Sequence, residues 1–179
     1  MKKAFLILLA VFFAACTQQA LQTTFDKQTT TIESFVSATM KADANATLTR
    51  TGGAYRVTMH DTLDPTRDSL GWNGKVKLYY ALYTLSSASL SASNLVATNK
   101  KDVAAAASWN TADDSQFEAV TLDMTDNLLE GLKMGLYGVQ PDDEAYILFT
   151  GKYGYGSHEQ GMIPARSALA YHVWIETIE

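Results

Sequence analysis

Cys16 is the one cysteine of the chain, and it stands directly behind Phe13-Ala14-Ala15. A lone thiol can serve as a nucleophile, a metal ligand or an acyl carrier, but here it has no partner for a disulfide. The three histidines, His60, His158 and His172, have no Cys, His or Glu at metal-ligand spacing. No metal site is therefore expected, and they read as surface or loop residues. Asp113, Asp114, Asp142, Asp143 and Glu144 fall between the periodic segments and read as solvated loop charge rather than a catalytic pair. No Gly-x-Ser-x-Gly, phosphate-loop or dinucleotide fingerprint occurs. Covalent and acid–base catalysis have no signature here, and no cofactor is expected.

The surroundings of Cys16 give its thiol a role. Lys2 and Lys3 precede an unbroken apolar run from Ala4 to Ala15. That run is too short for the ~20 apolar residues of a membrane span. A positive start, a short apolar core and small residues before a cut form the pattern of a secretion signal. With a cysteine directly after the cut it resembles bacterial lipoprotein signals, although Phe13 stands where they usually carry Leu. The resemblance implies a signal peptide over 1–15, lipid on Cys16, and a lipidated tether with a short helix over 16–45. It places the protein in the bacterial cell envelope, facing the periplasm or on the outer membrane. One acyl chain holds a protein only marginally, at about 0.8 kcal/mol per buried CH₂, so stable anchoring requires more than one chain.

Charge narrows the partners. Without Lys2 and Lys3 the 14 basic residues fall to 12, against 19 acidic ones, a net charge of −7. No Lys/Arg cluster stands out, which argues against nucleic acid and anionic headgroups. Hydrophobic residues make up 47% of the chain, enough for a core without disulfides.

The elements that must position any site follow from periodicity. Residues 17–28 read as tether. Thr30 and Glu33 have capping-box spacing, and Ile32, Phe35, Val36 and Met40 recur at helical intervals, which predicts a helix over 31–41. Tyr55, Val57 and Met59 alternate as a half-buried strand, and 61–74 is rich in turn residues. A second strand puts Val76, Leu78, Tyr80 and Leu82 on one face. Residues 86–94, mostly Ser and Ala, form a loop, and Leu95 to Thr98 a short strand. Asp102 can cap an Ala-rich piece over 103–108, and 117–122 is strand-like. Thr125 is placed to cap a helix carrying Leu128, Leu129, Leu132 and Leu136, stopped by Gly138 and Pro141. Within it Gly131 is costly unless the sheet approaches too closely for a Cβ. Ala145, Ile147 and Phe149 alternate next; a glycine-punctuated loop covers 151–161; and Leu169, Tyr171, Val173 and Ile175 line a last strand. Many antiparallel strands and one short leucine-faced helix imply an α+β fold, a curved antiparallel sheet wrapped around that helix.

Several of these segments carry a further pattern, in order: Leu128-Leu129-Glu130-Gly131-Leu132, Gly138-x-x-Pro141-Asp142-Asp143-Glu144-Ala145, Gly154-Tyr155-Gly156, Gly161-Met162-Ile163-Pro164 and Leu169-x-Tyr171-x-Val173. The series resembles the FKBP-type peptidyl-prolyl cis-trans isomerases over about 54–179, most tightly over 117–178. The resemblance implies that 46–179 form an FKBP-like domain assisting the folding of exported client proteins. Its partners would be their proline-containing segments.

It also implies a pocket. Tyr80 and Tyr171 match the family's aromatic walls, Leu128 and Leu129 its apolar pair at the helix start, Tyr155 its loop tyrosine and Ile163 its loop isoleucine. Phe117 matches the aromatic on the strand before the helix. Two positions depart from the pattern. Leu132 replaces the tryptophan at the bottom of the helix, and the family's Phe-Asp pair falls on Leu95-Val96, so the pocket carboxylate is missing. These departures leave a non-catalytic peptide- or protein-binding module, or a subunit of an envelope assembly, as alternatives.

Overall fold

The computed structural model describes the backbone of residues 2–59 and 66–179, with side chains from residue 18 onward in those ranges. The side chains of 2–15, the side chain of Cys16, and residues 60–65 with His60 lie outside the described residues.

The chain begins with helix α1, Lys2–Ala42. Residues 17–28, expected as a tether, are part of it, and the helix expected over 31–41 is only its last turns. Gln, Ala, Leu and Lys in 18–28 are good helix formers, and no Gly or Pro interrupts them. Thr30 is mid-helix rather than a cap, its hydroxyl donating back to the Asp26 carbonyl at 3.1 Å. The helix ends at Asp43, whose carboxylate accepts from the Asn45 N–H at 2.9 Å.

Strands β1 (Thr47–Thr51), β2 (Ala54–Met59), β3 (Lys75–Thr84), β4 (Leu95–Thr98), β5 (Val120–Asp123), β6 (Glu144–Phe149) and β7 (Leu169–Ile178) make one antiparallel sheet. Its order is β1-β2-β6-β7-β3-β4, with β5 also on β3. Helices α2 (Lys101–Ala106) and α3 (Glu130–Leu136) complete the domain. The expected α+β architecture, a curved sheet wrapped around one short helix, is the one observed, α3 being that helix. Edge strand β1 has no hydrophobic alternation, and periodicity did not reveal it.

Both faces of the sheet are covered. On the inner face Val76, Leu78, Ile147, Phe149, Leu169 and Val173 pack with Leu132 and Leu136 of α3. On the outer face Ile32, Phe35 and Val36 of α1 pack on Val57, Leu148 and Ala170. Burying three such side chains is worth roughly 1.5–3 kcal/mol each, as an upper estimate. Double coverage explains why β6 reads Ile147-Leu148-Phe149 without a polar break.

Two start signals are reassigned. Thr125 does not cap α3, because its N–H and hydroxyl both donate to Asp123 Oδ1, at 2.8 and 2.6 Å. These bonds hold residues 123–125 in a turn, and they lower the Asp123 pKa. The helix starts at Glu130 instead. Asp102 lies inside α2, which begins at Lys101.

Helix α3 stops where expected. Gly138 has φ +80°, and the Arg56 guanidinium donates to the carbonyls of Gly135 (3.1 Å) and Tyr137 (2.6 Å). A strand residue thus closes the negative end of the helix.

Candidate functional site

Strand β3 is shared between two partners. Its first half pairs with β5 over Lys75–Leu78, and its second with β4 over Ala81–Tyr83. Asn99, buried just past β4, fills the gap between them. Its Oδ1 accepts from the Tyr80 N–H at 2.6 Å, and its Nδ2 donates to the carbonyls of Leu78 (3.3 Å) and Glu118 (2.9 Å). One amide side chain replaces the missing backbone pairing, so β4 and β5 can part while β3 stays satisfied.

A cleft of about 630 Å³ opens where these strands part. Leu78, Tyr80 and Leu82 of β3 and Tyr171 and Val173 of β7 form its back, and Leu132 of α3 its bottom. Val96 and Ala97 close one side, Val120 and Leu122 another. Tyr155 and the turn Gln160–Ile163 come in from the loop after β6. In that turn Gln160 and Ile163 exchange two backbone hydrogen bonds, at 3.0 and 2.9 Å, around Gly161 at φ +56°. Ile163 is thereby turned inward, 3% exposed, and Met162 outward, 71% exposed at the rim.

The Tyr80 and Tyr171 rings lie 6.1 Å apart, tilted by 47°. Burial raises the pKa of both hydroxyls, and the neighbouring Tyr155 raises it further. The Tyr80 and Tyr171 phenols therefore stay protonated at neutral pH and can donate. Among the described residues no Asp, Glu, Lys, Arg or His lines the cleft. Among the described residues no group of three His, Cys, Asp or Glu could hold a metal ion. The arrangement can enclose an apolar ring and offer hydroxyl donors to a carbonyl.

The structure brings Tyr80, Leu132, Tyr155, Ile163 and Tyr171 together, with Val96 on the wall. Phe117 is not among the lining residues. It ends a 3₁₀ turn, Asp114–Phe117, before β5 begins, and Val120 and Leu122 take the wall it was expected to form. Leu128 and Leu129 precede α3 and pack against the core, outside the cleft lining. Asn99 had been missed, because an Asn between a strand and Lys-Lys reads as an ordinary turn residue. His172 is not a loop residue. It lies on the outer face of β7, stacked at 4.1 Å on Tyr146 and paired with Glu144 at 2.7 Å.

Residues 98–176 match the family model of the FKBP-type peptidyl-prolyl cis-trans isomerases. The match runs from the end of β4 through most of β7 and so takes in α3, the cleft loop and Asn99. Over that stretch, somewhat under half of its length, the chain is similar to this family. The structure is similar to that of the three FKBP domains of wheat FKBP73, at 15% identity and a TM-score of 0.56, over 75% of this chain and 51% of that one. The chain thus spans about half the length of the wheat protein's chain. It is also similar to FkpA from Escherichia coli, at 11% identity and a TM-score of 0.57, over 99% of this chain and 71% of that one. At these identities the two structures speak for the fold. No curated protein matches the sequence.

Proposed function

We propose that this protein is lipid-anchored in the bacterial envelope through Cys16, and that its FKBP-type cleft binds X-Pro segments of exported proteins and isomerises them slowly. The observation that carries the reading is the cleft itself, about 630 Å³, walled by tyrosine rings and aliphatic side chains, with no ionic group among the described residues that line it. Rotation about an amide costs about 18–20 kcal/mol because resonance holds it planar. The cis and trans forms of an X-Pro bond, by contrast, differ by only about 0.5–1 kcal/mol. No nucleophile is required. Water stabilises the charge-separated planar amide, so a dry, apolar cleft lowers the cost of twisting it. A tyrosine hydroxyl can then hold a neighbouring carbonyl in place. Aromatic rings also pack proline rings well, so the same walls supply affinity.

Val96 on the wall and Leu132 at the bottom support a second reading, a binding module without turnover. A protease-free isomerisation assay beside a peptide-binding titration separates the two: slow turnover with binding supports the first, binding alone the second. No binding of any proline peptide would reject both. The anchor is tested by Cys16→Ser, which should abolish lipid labelling and release soluble protein. If the variant stays on membranes, a partner protein and not lipid holds it.

A further inference from the structure

The β6–β7 ladder ends at Phe149–Leu169, and beyond it the chain leaves the sheet as the loop that carries Tyr155, Met162 and Ile163 into the cleft. The two ends of that loop cross closely. A Cβ built on Gly151 would lie 2.4 Å from the Arg166 carbonyl oxygen, and Arg166 itself has φ +63°. The side chain that joins them comes from α1. Gln28 Oε1 accepts from the Gly151 N–H at 2.9 Å, while Gln28 Nε2 donates to the Arg166 carbonyl at 2.5 Å. One donor and one acceptor on a planar amide are what the next backbone pair of a ladder would have offered. The bonding continues inward. The Gly156 N–H donates to Gly151 O at 2.9 Å and the Arg166 N–H to Gly156 O at 2.6 Å, and Gly156 adjoins Tyr155.

We infer that Gln28 is a positioning residue for the cleft: from the N-terminal helix it clamps both ends of the 151–166 loop and so sets where Tyr155 and Ile163 stand. Its reach is fixed, because Gln28 lies on the helix face of Ile32, Phe35 and Val36, which are buried on the outer side of the sheet. A groove of about 550 Å³ runs beside the contact, lined among others by Lys27, Gln28 and Ser167, and leaves space for helix and loop to part. The cleft is therefore shaped from the opposite face of the sheet, and strain on α1 reaches it through one amide.

The test compares full-length Gln28→Ala, Gln28→Glu and Lys27→Ala with wild type. Lys27 borders the same groove but makes no hydrogen bond to the loop among the described residues. The first readout is amide hydrogen exchange without ligand. In Gln28→Ala, exchange at Gly151 and through the loop should speed up about fivefold, the scale of one lost hydrogen bond, while β6 and β7 stay as in wild type. Gln28→Glu keeps an acceptor for Gly151 but no donor for Arg166, and should fall between. Lys27→Ala should change nothing. The second readout, which rests on the reading of the cleft as a peptide site, is titration with a proline peptide. Affinity should weaken several-fold in Gln28→Ala and partly recover in Gln28→Glu, with the thermal midpoint unmoved. Unchanged loop exchange overturns the inference whatever the peptide does. Faster exchange with wild-type affinity overturns the positioning role and leaves Gln28 structural. If the wild type binds no peptide, the proposed function fails, and faster exchange confined to the loop still supports the clamp.

Discussion

The ring of Phe149 occupies the space that any side chain on Gly131 would need: a Cβ built there comes 2.2 Å from Phe149 Cγ. Gly135, one turn on, faces Ile147 in the same way, at 2.1 Å from Cγ2. The two glycines let α3 lie directly on β6. Gly131→Ala would gain about 0.5–1 kcal/mol of helix propensity, yet forcing a methyl into this contact costs about 1–3 kcal/mol. The variant should be less stable by roughly 1–2 kcal/mol on balance, read as a lower midpoint in chemical denaturation. A raised midpoint would mean that α3 can shift away from the sheet at no cost.

Asn99 should matter more than its place at the end of a strand suggests. Asn99→Ala removes three hydrogen bonds and leaves the partly buried Tyr80 N–H without its acceptor, while Leu78 keeps its ladder pairing with Val120. A loss of about 1–3 kcal/mol is expected, the cost of one orphaned polar group. Because Tyr80 lines the cleft, peptide affinity should fall in the same variant while it is still folded. Wild-type affinity in the folded fraction would show that the gap in the strands does not shape the cleft.

The turnover rate tests the departures from the family pattern. Val96 and Leu132 both line the cleft, so Val96→Asp with Leu132→Trp restores the family's acid and ring at those positions. The double variant should isomerise proline peptides faster than wild type. Binding should instead depend mainly on Tyr80, Tyr155 and Tyr171. Truncating a buried aromatic can cost about 3–5 kcal/mol, so each variant is also checked for cooperative melting. Robust wild-type turnover would remove the claim that Val96 and Leu132 slow this protein's catalysis. Binding that ignores all three tyrosines would remove the cleft as the ligand site.

Alkaline pH should act on stability before it acts on the cleft. Burial raises the Tyr171 and Tyr80 pKa values above their ordinary 10.0, with the nearby hydroxyls adding to it. Tyrosine is neutral below its pKa, and folding keeps these two protonated. The stability they contribute is fully present below the unfolded value, about 10, and is lost as pH rises from there through the higher folded values. Denaturation midpoints should therefore drop above about pH 10, while an absorbance titration of the native state shows these two phenols ionising later than exposed tyrosines. Native ionisation of all tyrosines together would contradict the burial of the cleft hydroxyls.

Much of the architecture was legible in the chain because periodicity is a local record of which face meets the core. Val76, Leu78 and Leu82, then Ala145, Ile147 and Phe149, then Leu169, Tyr171, Val173 and Ile175 alternate in the sequence and are buried together in the structure. Gly138 announced the end of α3, since only a left-handed turn places it there, and Gly131 announced close packing. The ordered loop and strand patterns led to Tyr80, Leu132, Tyr155, Ile163 and Tyr171, which share one cleft. What the chain alone left open depends on contacts between distant segments. Phe117 had the right type for a wall, but the hydrogen bonds of Asp113 with Ser115 hold a turn there and start β5 later. Asn99 is polar and sits at a strand end, so only the parting of β4 and β5 on β3 gives it a buried role. Gln28 is one polar residue among many on a helix, and its two partners lie 123 and 138 residues away. A side-chain amide carries no periodicity that names its partner, so its function is decided where the tertiary fold brings Gly151 and Arg166 within its reach.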